Sequence, residues 1–221
     1  MTEKITDPAF ESELRDVTLA ILAGGRGTRM GMPKAHLQIA GRPILEWTLQ
    51  HFQWPGPTML VTAPAVMDPP GAGLFHRRAV DPVDDLGPLR GIATALEDAS
   101  TDTVAVVTVD MPGVSRDVLK WLLKVLADRP TLAGLMCKRR VGQREFVEPF
   151  PAVFRRSALD ILRGRLQSGE LSVQRLCDGE RIASIASSEA WPESIWANLN
   201  HPAELAAFEA DMRKGGDRHK A

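Results

Sequence analysis

Three short apolar runs, VTLAIL at residues 17–22, PTMLVTA at 57–63 and TVAVVTV at 103–109, show no alternation of polar and apolar side chains. A strand with one wet face alternates; a strand covered on both faces does not. Short β-branched runs of this kind read as strands inside a helix-covered sheet. FHRRAV at 75–80 and TLAGLMC at 131–137 are weaker strands of the same sort. Segments of helical period lie between and after them. Residues 43–52 open on Pro43, a residue suited to the first helical turn, and 89–99 carry Ile92, Ala95, Leu96 and Ala99 at helical spacing. Residues 115–127 start at the capping type Ser115 and line up Val118, Leu119, Leu122, Leu123 and Leu126, and 157–166 and 202–212 are later helices. The alternation predicts an α/β fold of three layers, α/β/α, around a mostly parallel central sheet with a Rossmann-like nucleotide-binding half. Ligands of such sheets bind outside the carboxyl ends of the strands.

The chain length of 221 residues suits one sizeable domain. The expected layout is a flexible segment at 1–15, a single domain at 16–212 and a flexible tail at 213–221. Within the domain, 16–137 forms the nucleotide-binding half and 138–212 the acceptor-binding half. Lys and Arg total 27 against 28 Asp and Glu, so no global field draws in nucleic acid or an anionic membrane, and any anion site is local. The two cysteines, Cys137 and Cys177, have no C-x-x-C spacing, which fits a reducing cytosol and no disulfide framework. The polar N-terminus has no apolar core of a signal peptide, and no apolar run approaches the roughly 18 residues of a membrane span. The expectation is a cytoplasmic protein.

The first strand runs directly into LAGGRGTRMGMPK, residues 22–34. The Walker A pattern fails there, because no glycine directly precedes Lys34 and Ala35 follows it. A dinucleotide fingerprint starts at Gly25 and Gly27 but finds Met30 at its third glycine position. A triphosphate clamp fits better. Gly24 and Gly25 bare backbone amides for an anion, and Arg29 and Lys34 add a guanidinium fork and a compact point charge. From the residues alone, the stretch serves equally as a solvated surface turn.

The pattern L-A-G-G-x-x-x-R-M-G-x-x-K resembles the signature loop of nucleotidyltransferases with a glycosyltransferase-A-like fold, and most closely that of the molybdenum cofactor guanylyltransferases. Gly41, Arg42 and Pro43 continue the likeness as the G-[KR]-P turn. The resemblance implies that Leu22, Ala23, Gly24, Gly25 and Lys34 bind the nucleotide, with Lys34 and Arg29 stabilising the triphosphate.

Asp110 ends the third apolar run as D-M-P. A carboxylate there suits Mg²⁺, which takes one or two carboxylates plus phosphate oxygens, although a turn aspartate before the helix at Ser115 has the same look. The resemblance implies the metal role, since the family carries its metal-binding aspartate after this strand. Asp81 and the segment Gly87-Pro88-Leu89-Arg90-Gly91-Ile92 are similar to the family's D-x(5)-G-P-L-x-G arrangement, with Arg90 in place of the usual alanine. A nucleotide contact is thereby implied for Asp81 and Gly87, whereas Asp84 and Asp85 read as solvated loop charges. Thr62 stands where the family commonly has a nucleotide-facing asparagine.

In the second half, Lys138, Arg139, Arg140 and Arg144 form a basic cluster, commonly a solvated loop but also where a phosphorylated acceptor would need cations. Asn198-Leu199-Asn200-His201-Pro202 resembles N-[IVL]-N-T-P, and Asn198 and Asn200 serve either a ligand or strand exit and helix capping. Arg90, Arg144, Asn198 and Asn200 are the acceptor candidates. The likeness runs from residue 18 to 208 through motifs in family order. It implies GTP and molybdopterin as substrates, Mg²⁺ as cofactor, and transient contact with molybdoenzymes or other cofactor-biosynthesis proteins. A cytidylyltransferase, another phosphorylated acceptor, or a non-catalytic nucleotide-binding protein on this fold are the alternatives. No covalent nucleophile is expected, because neither cysteine has a triad context.

Overall fold

A computed structural model describes residues 8–25, 27, 30–64, 68–83 and 86–217. The strands in chain order are β1 (Val17–Leu22), β2 (Gln38–Ile39), β3 (Arg42–Pro43), β4 (Thr58–Thr62), β5 (Arg77–Val80), β6 (Thr103–Thr108), β7 (Gly134–Val141), β8 (Arg144–Arg155) and β9 (Ile182–Ala186). The helices are α1 (Pro8–Glu13), α2 (Ile44–Phe52), α3 (Gly87–Asp98), α4 (Arg116–Ala127), α5 (Leu159–Ser168) and α6 (Pro202–Asp217).

Seven strands form one sheet in the order β5-β4-β1-β6-β8-β7-β9, and β2 and β3 make a separate two-stranded ribbon. Pairings β1–β4, β1–β6, β4–β5 and β7–β9 are parallel; β8 runs antiparallel to both of its neighbours. Every residue of β1 is buried, as its unalternating sequence requires of a strand covered on both faces. From β1 the chain first crosses to β4 and β5, then returns past β1 to β6. The strand order reverses there, which opens a crevice beyond the carboxyl ends of β1 and β6. Helix α3 packs on β1, β4, β5, β6 and α5, whereas α4 packs on β7 and β8.

Several segments differ from the sequence expectation. Pro43 belongs to β3, and α2 begins at Ile44. The basic stretch 138–141 is the outer half of β7 rather than a loop, and Arg144 opens β8. Pro149 and Pro151 fall where the β7–β8 register shifts between Met136 and Cys137, an irregularity that accommodates residues unable to donate to a ladder. The segment expected to be frayed at the N-terminus contributes α1 and a fully buried Leu14, and Glu11 accepts a 2.6 Å hydrogen bond from Lys120 of α4. Helix α6 extends to Asp217.

Candidate active site

The carboxyl ends of β1, β4, β5 and β6 and the first turn of α3 enclose a cleft of about 320 Å³. Leu22, Gly24 and Gly25 come from the end of β1, Asp81 from the end of β5, Asp110 from the end of β6, and Gly87 from the start of α3. Lys34 enters from the far end of the glycine loop, so seven residues from five separate stretches of the sequence share one space.

The loop geometry explains its glycines. Gly27 has φ of +58°, and a Cβ there would lie 1.9 Å from the Met32 carbonyl oxygen. Only glycine lets the loop fold back this closely and bring Lys34 over the strand ends. On the opposite wall, a Cβ at Gly91 would come within 3.3 Å of the Leu22 side chain and 3.8 Å of Asp81 Oδ2. That glycine keeps α3 close to β1, with Gly87 and Pro88 of its first turn lining the crevice. Asp81 is aligned from behind, because its amide donates to the Thr62 carbonyl at 2.9 Å.

Lys34 is the junction of the site. Its ammonium pairs with Asp110 Oδ2 and donates to Asn200 Oδ1 at 2.6 Å. The Lys34 and Asp110 side chains are only 17% and 16% exposed, so the pair is shielded more than a surface ion pair. The chain segment carrying Asn200 is fixed by its backbone: the Leu199 amide donates to the Asp110 carbonyl at 2.8 Å. Glu204 then accepts from the amides of Asn200 at 2.5 Å and His201 at 2.9 Å, capping the start of α6.

Not every expected residue reaches the cleft. The Thr62 side chain is buried and contributes through its carbonyl, and Ala23 is fully buried with its amide on the Val61 carbonyl at 2.8 Å. Arg90 turns along its own helix, with Nε donating to Thr94 Oγ1 at 3.1 Å and its fork paired with Glu97. Arg144 is exposed at the tip of the β7–β8 hairpin, and the Asn198 side-chain Nδ2 donates to the Trp196 carbonyl at 3.3 Å. Arg29, like Arg26, Asp84 and Asp85, lies outside the described residues. Thr108, Val61, Ala63 and Leu86 line the cleft without having been singled out, and single threonine or apolar residues carry no motif that would have marked them.

Among the described residues, no group of three or more His, Cys, Asp or Glu side chains gathers as a protein-only metal cage. Asp110, a hard oxygen donor beside open cleft, is the donor type that Mg²⁺ combines with substrate phosphates and water. The residues therefore fit a metal that enters with the triphosphate.

A glycine loop, a half-buried lysine and strand-end carboxylates around a crevice at the switch point of a mostly parallel sheet define a nucleotidyltransferase of the glycosyltransferase-A-like fold. The chain belongs to the family described as the MobA-like NTP transferase domain, which matches residues 19–209. A relative described as a probable molybdenum cofactor guanylyltransferase, from Deinococcus radiodurans, is 28% identical over 190 residues, covering 86% of this chain and 92% of the relative. The molybdenum cofactor guanylyltransferase of Cupriavidus metallidurans is 26% identical over 205 residues, covering 90% and 98%. In fold, the chain is similar to molybdopterin-guanine dinucleotide biosynthesis protein A from Archaeoglobus fulgidus, with a TM-score of 0.75 at 23% identity over 89% of this chain and 99% of that one. No helix among the described residues is long and apolar enough to cross a membrane.

Proposed function

We propose that the protein transfers GMP from GTP to the phosphate of molybdopterin and releases pyrophosphate. One observation carries the reading: Lys34 of the glycine loop, Asp110 of the central strand and Asn200 of the C-terminal half converge at one nitrogen beside the cleft. The relatives' names support the guanylyl and molybdopterin assignments.

The chemistry follows from placement. GTP occupies the cleft with its phosphates toward the Gly24–Gly25 backbone and the Lys34 ammonium. An oxygen of the acceptor phosphate bonds to the α-phosphorus in line, the bond from the α-phosphorus to the bridging oxygen breaks, and that oxygen leaves with pyrophosphate. Asp110 is the residue that would hold Mg²⁺, which when bound offsets triphosphate charge. Lys34 turns from Asp110 and Asn200 to the phosphates and stabilises charge that grows on the leaving group. Arg29 adds a second cation on the same side. Asn200, released from Lys34, faces the acceptor. No protein nucleophile is needed, because positioning and charge neutralisation suffice for this class of transfer.

The test is pyrophosphate release from the protein with Mg²⁺, molybdopterin and each nucleoside triphosphate in turn. GTP should support release. Release with CTP and none with GTP would replace the guanylyl assignment by a cytidylyl one.

A further inference from the structure

A second pocket, of about 160 Å³, lies between the outer half of β7 and the segment that leads from β9 to α6. Strand β7 runs in the same direction as β6, since both are antiparallel to β8. The outer end of β7 is therefore on the same edge of the sheet as Asp110. Trp191 and Trp196 line this pocket with their rings 6.2 Å apart, and the Arg139 guanidinium lies over Trp196 at 5.7 Å.

The charges of the pocket are already matched. Arg139 pairs with Glu193 at 2.5 Å, and Arg140 and Lys138 pair with Glu145 at 3.1 Å and 3.9 Å. The three cations Lys138, Arg139 and Arg140 face the three carboxylates Glu145, Glu189 and Glu193, so the pocket carries no net charge to draw in a phosphate. What the pocket offers instead is two indole surfaces, the hydroxyls of Ser187 and Ser188, and carboxylates able to accept from amino groups. The Arg139 Nε–H is also buried and has no hydrogen-bond acceptor among the described residues, a feature that an incoming acceptor atom would resolve. This chemistry suits a neutral, flat heterocycle with donors and acceptors along its edge.

One strap joins this pocket to the catalytic cleft. Trp196 precedes Leu199, whose amide is bonded to the Asp110 carbonyl, and Asn200 holds Lys34. Three residues of fully extended chain span at most about 11 Å, which bounds the separation of the Trp196 and Leu199 backbones. We infer that this pocket receives the pterin ring of the acceptor while the acceptor's phosphate reaches Lys34 and Asp110. The inference rests on the transferase reading above and names the part of the surface that selects the acceptor.

The experiment measures the KM of molybdopterin and of GTP separately, by pyrophosphate release, for the wild-type protein and three variants. Trp191→Leu removes one ring, Trp191→Phe keeps an aromatic face, and Ser188→Trp fills the pocket without removing a core side chain. Trp191→Leu and Ser188→Trp should each raise the molybdopterin KM about tenfold, the scale of one lost aromatic stack, with the GTP KM unchanged. Trp191→Phe should recover most of the loss. An unchanged molybdopterin KM in both Trp191→Leu and Ser188→Trp would overturn the pocket while leaving the transferase intact. A rise in Trp191→Leu alone would also overturn it, because Trp191 stacks edge-on against Trp121 at 5.1 Å and would then be acting through packing. Absence of turnover by the wild-type protein would remove the transferase reading first and the pterin site with it.

Discussion

The ammonium of Lys34 donates to Asn200 Oδ1 at 2.6 Å across 166 positions of sequence, while the same nitrogen is paired with Asp110. Two halves of the chain thus meet at one charge. The N-terminal half supplies the lysine and the carboxylate, and the C-terminal half supplies the side-chain amide that holds the lysine between them. On the proposed function, substitution at this junction should affect turnover far more than folding, which would separate it from a structural ion pair.

Lys34→Met should lower kcat about 100-fold to 1,000-fold, the usual scale for a preorganised charge at a developing anion. Asn200→Ala should lower it about tenfold, since it removes the side-chain amide that faces the acceptor once Lys34 has turned to the phosphates. Both variants should keep the wild-type circular dichroism spectrum. An Asn200→Ala enzyme with unaltered kcat and unaltered molybdopterin KM would remove Asn200 from the site.

Gly113 is a second point where the strap depends on one residue. A Cβ placed there would lie 1.8 Å from the Ser194 carbonyl oxygen. Gly113→Ala should cost about 1–3 kcal/mol of stability through overpacking and raise the molybdopterin KM, because the displaced strap carries both Trp196 and Asn200. Urea denaturation and acceptor titration measure the two effects.

Much of the N-terminal half was legible in the sequence. Runs without alternation identified β1, β4 and β6, and the Leu stripe of 115–127 identified α4, because burial on both faces and helical period leave local marks. Strand β8 was not legible as one element. Its charged first half alternates weakly, and Pro149 and Pro151 obscure a strand that tolerates them only through the register shift at Met136/Cys137. The neutralisation of the basic cluster was hidden for a different reason. Arg139 finds Glu193 54 positions away, and sequence spacing carries no signal for such a contact. The turn of Arg90 onto Glu97 was equally invisible, since it is a choice of rotamer and not of pattern.

Arg156 is a structural anchor that the sequence did not reveal. Its guanidinium donates to the carbonyls of Leu96 at 2.9 Å, Ala99 at 2.7 Å and Thr101 at 3.0 Å, closing the end of α3. Arg156→Met should cost about 2–3 kcal/mol, because charge-assisted bonds are lost and carbonyls are left unpaired. Chemical denaturation measures the loss, and the GTP KM should not move.

Cys137 is fully buried in β7, and burial pushes its thiol up to about 12, with the nearby Glu148 carboxylate adding to the rise. Burial also raises Cys177. A thiol whose folded pKa is raised above its unfolded value of 9.0 favours the folded state fully below pH 9 and loses that contribution as pH climbs toward 12. The protein should therefore lose stability across that alkaline window, and Cys137→Ala should flatten this part of the pH profile. At pH 7.5, Cys137 should resist iodoacetamide until the protein is unfolded. Rapid alkylation of Cys137 in the native protein would contradict its placement.

The central claim is that acceptor phosphate attacks the α-phosphorus of GTP beside Lys34 and Asp110. Its most direct measurement follows two labels, one on the α-phosphate and one on the γ-phosphate of GTP, through turnover with molybdopterin and Mg²⁺. The α-label should appear in a guanine–pterin dinucleotide and the γ-label only in pyrophosphate, with both outcomes abolished by Asp110→Asn. Transfer of the γ-label to molybdopterin, or α-label left entirely in GTP, would contradict it.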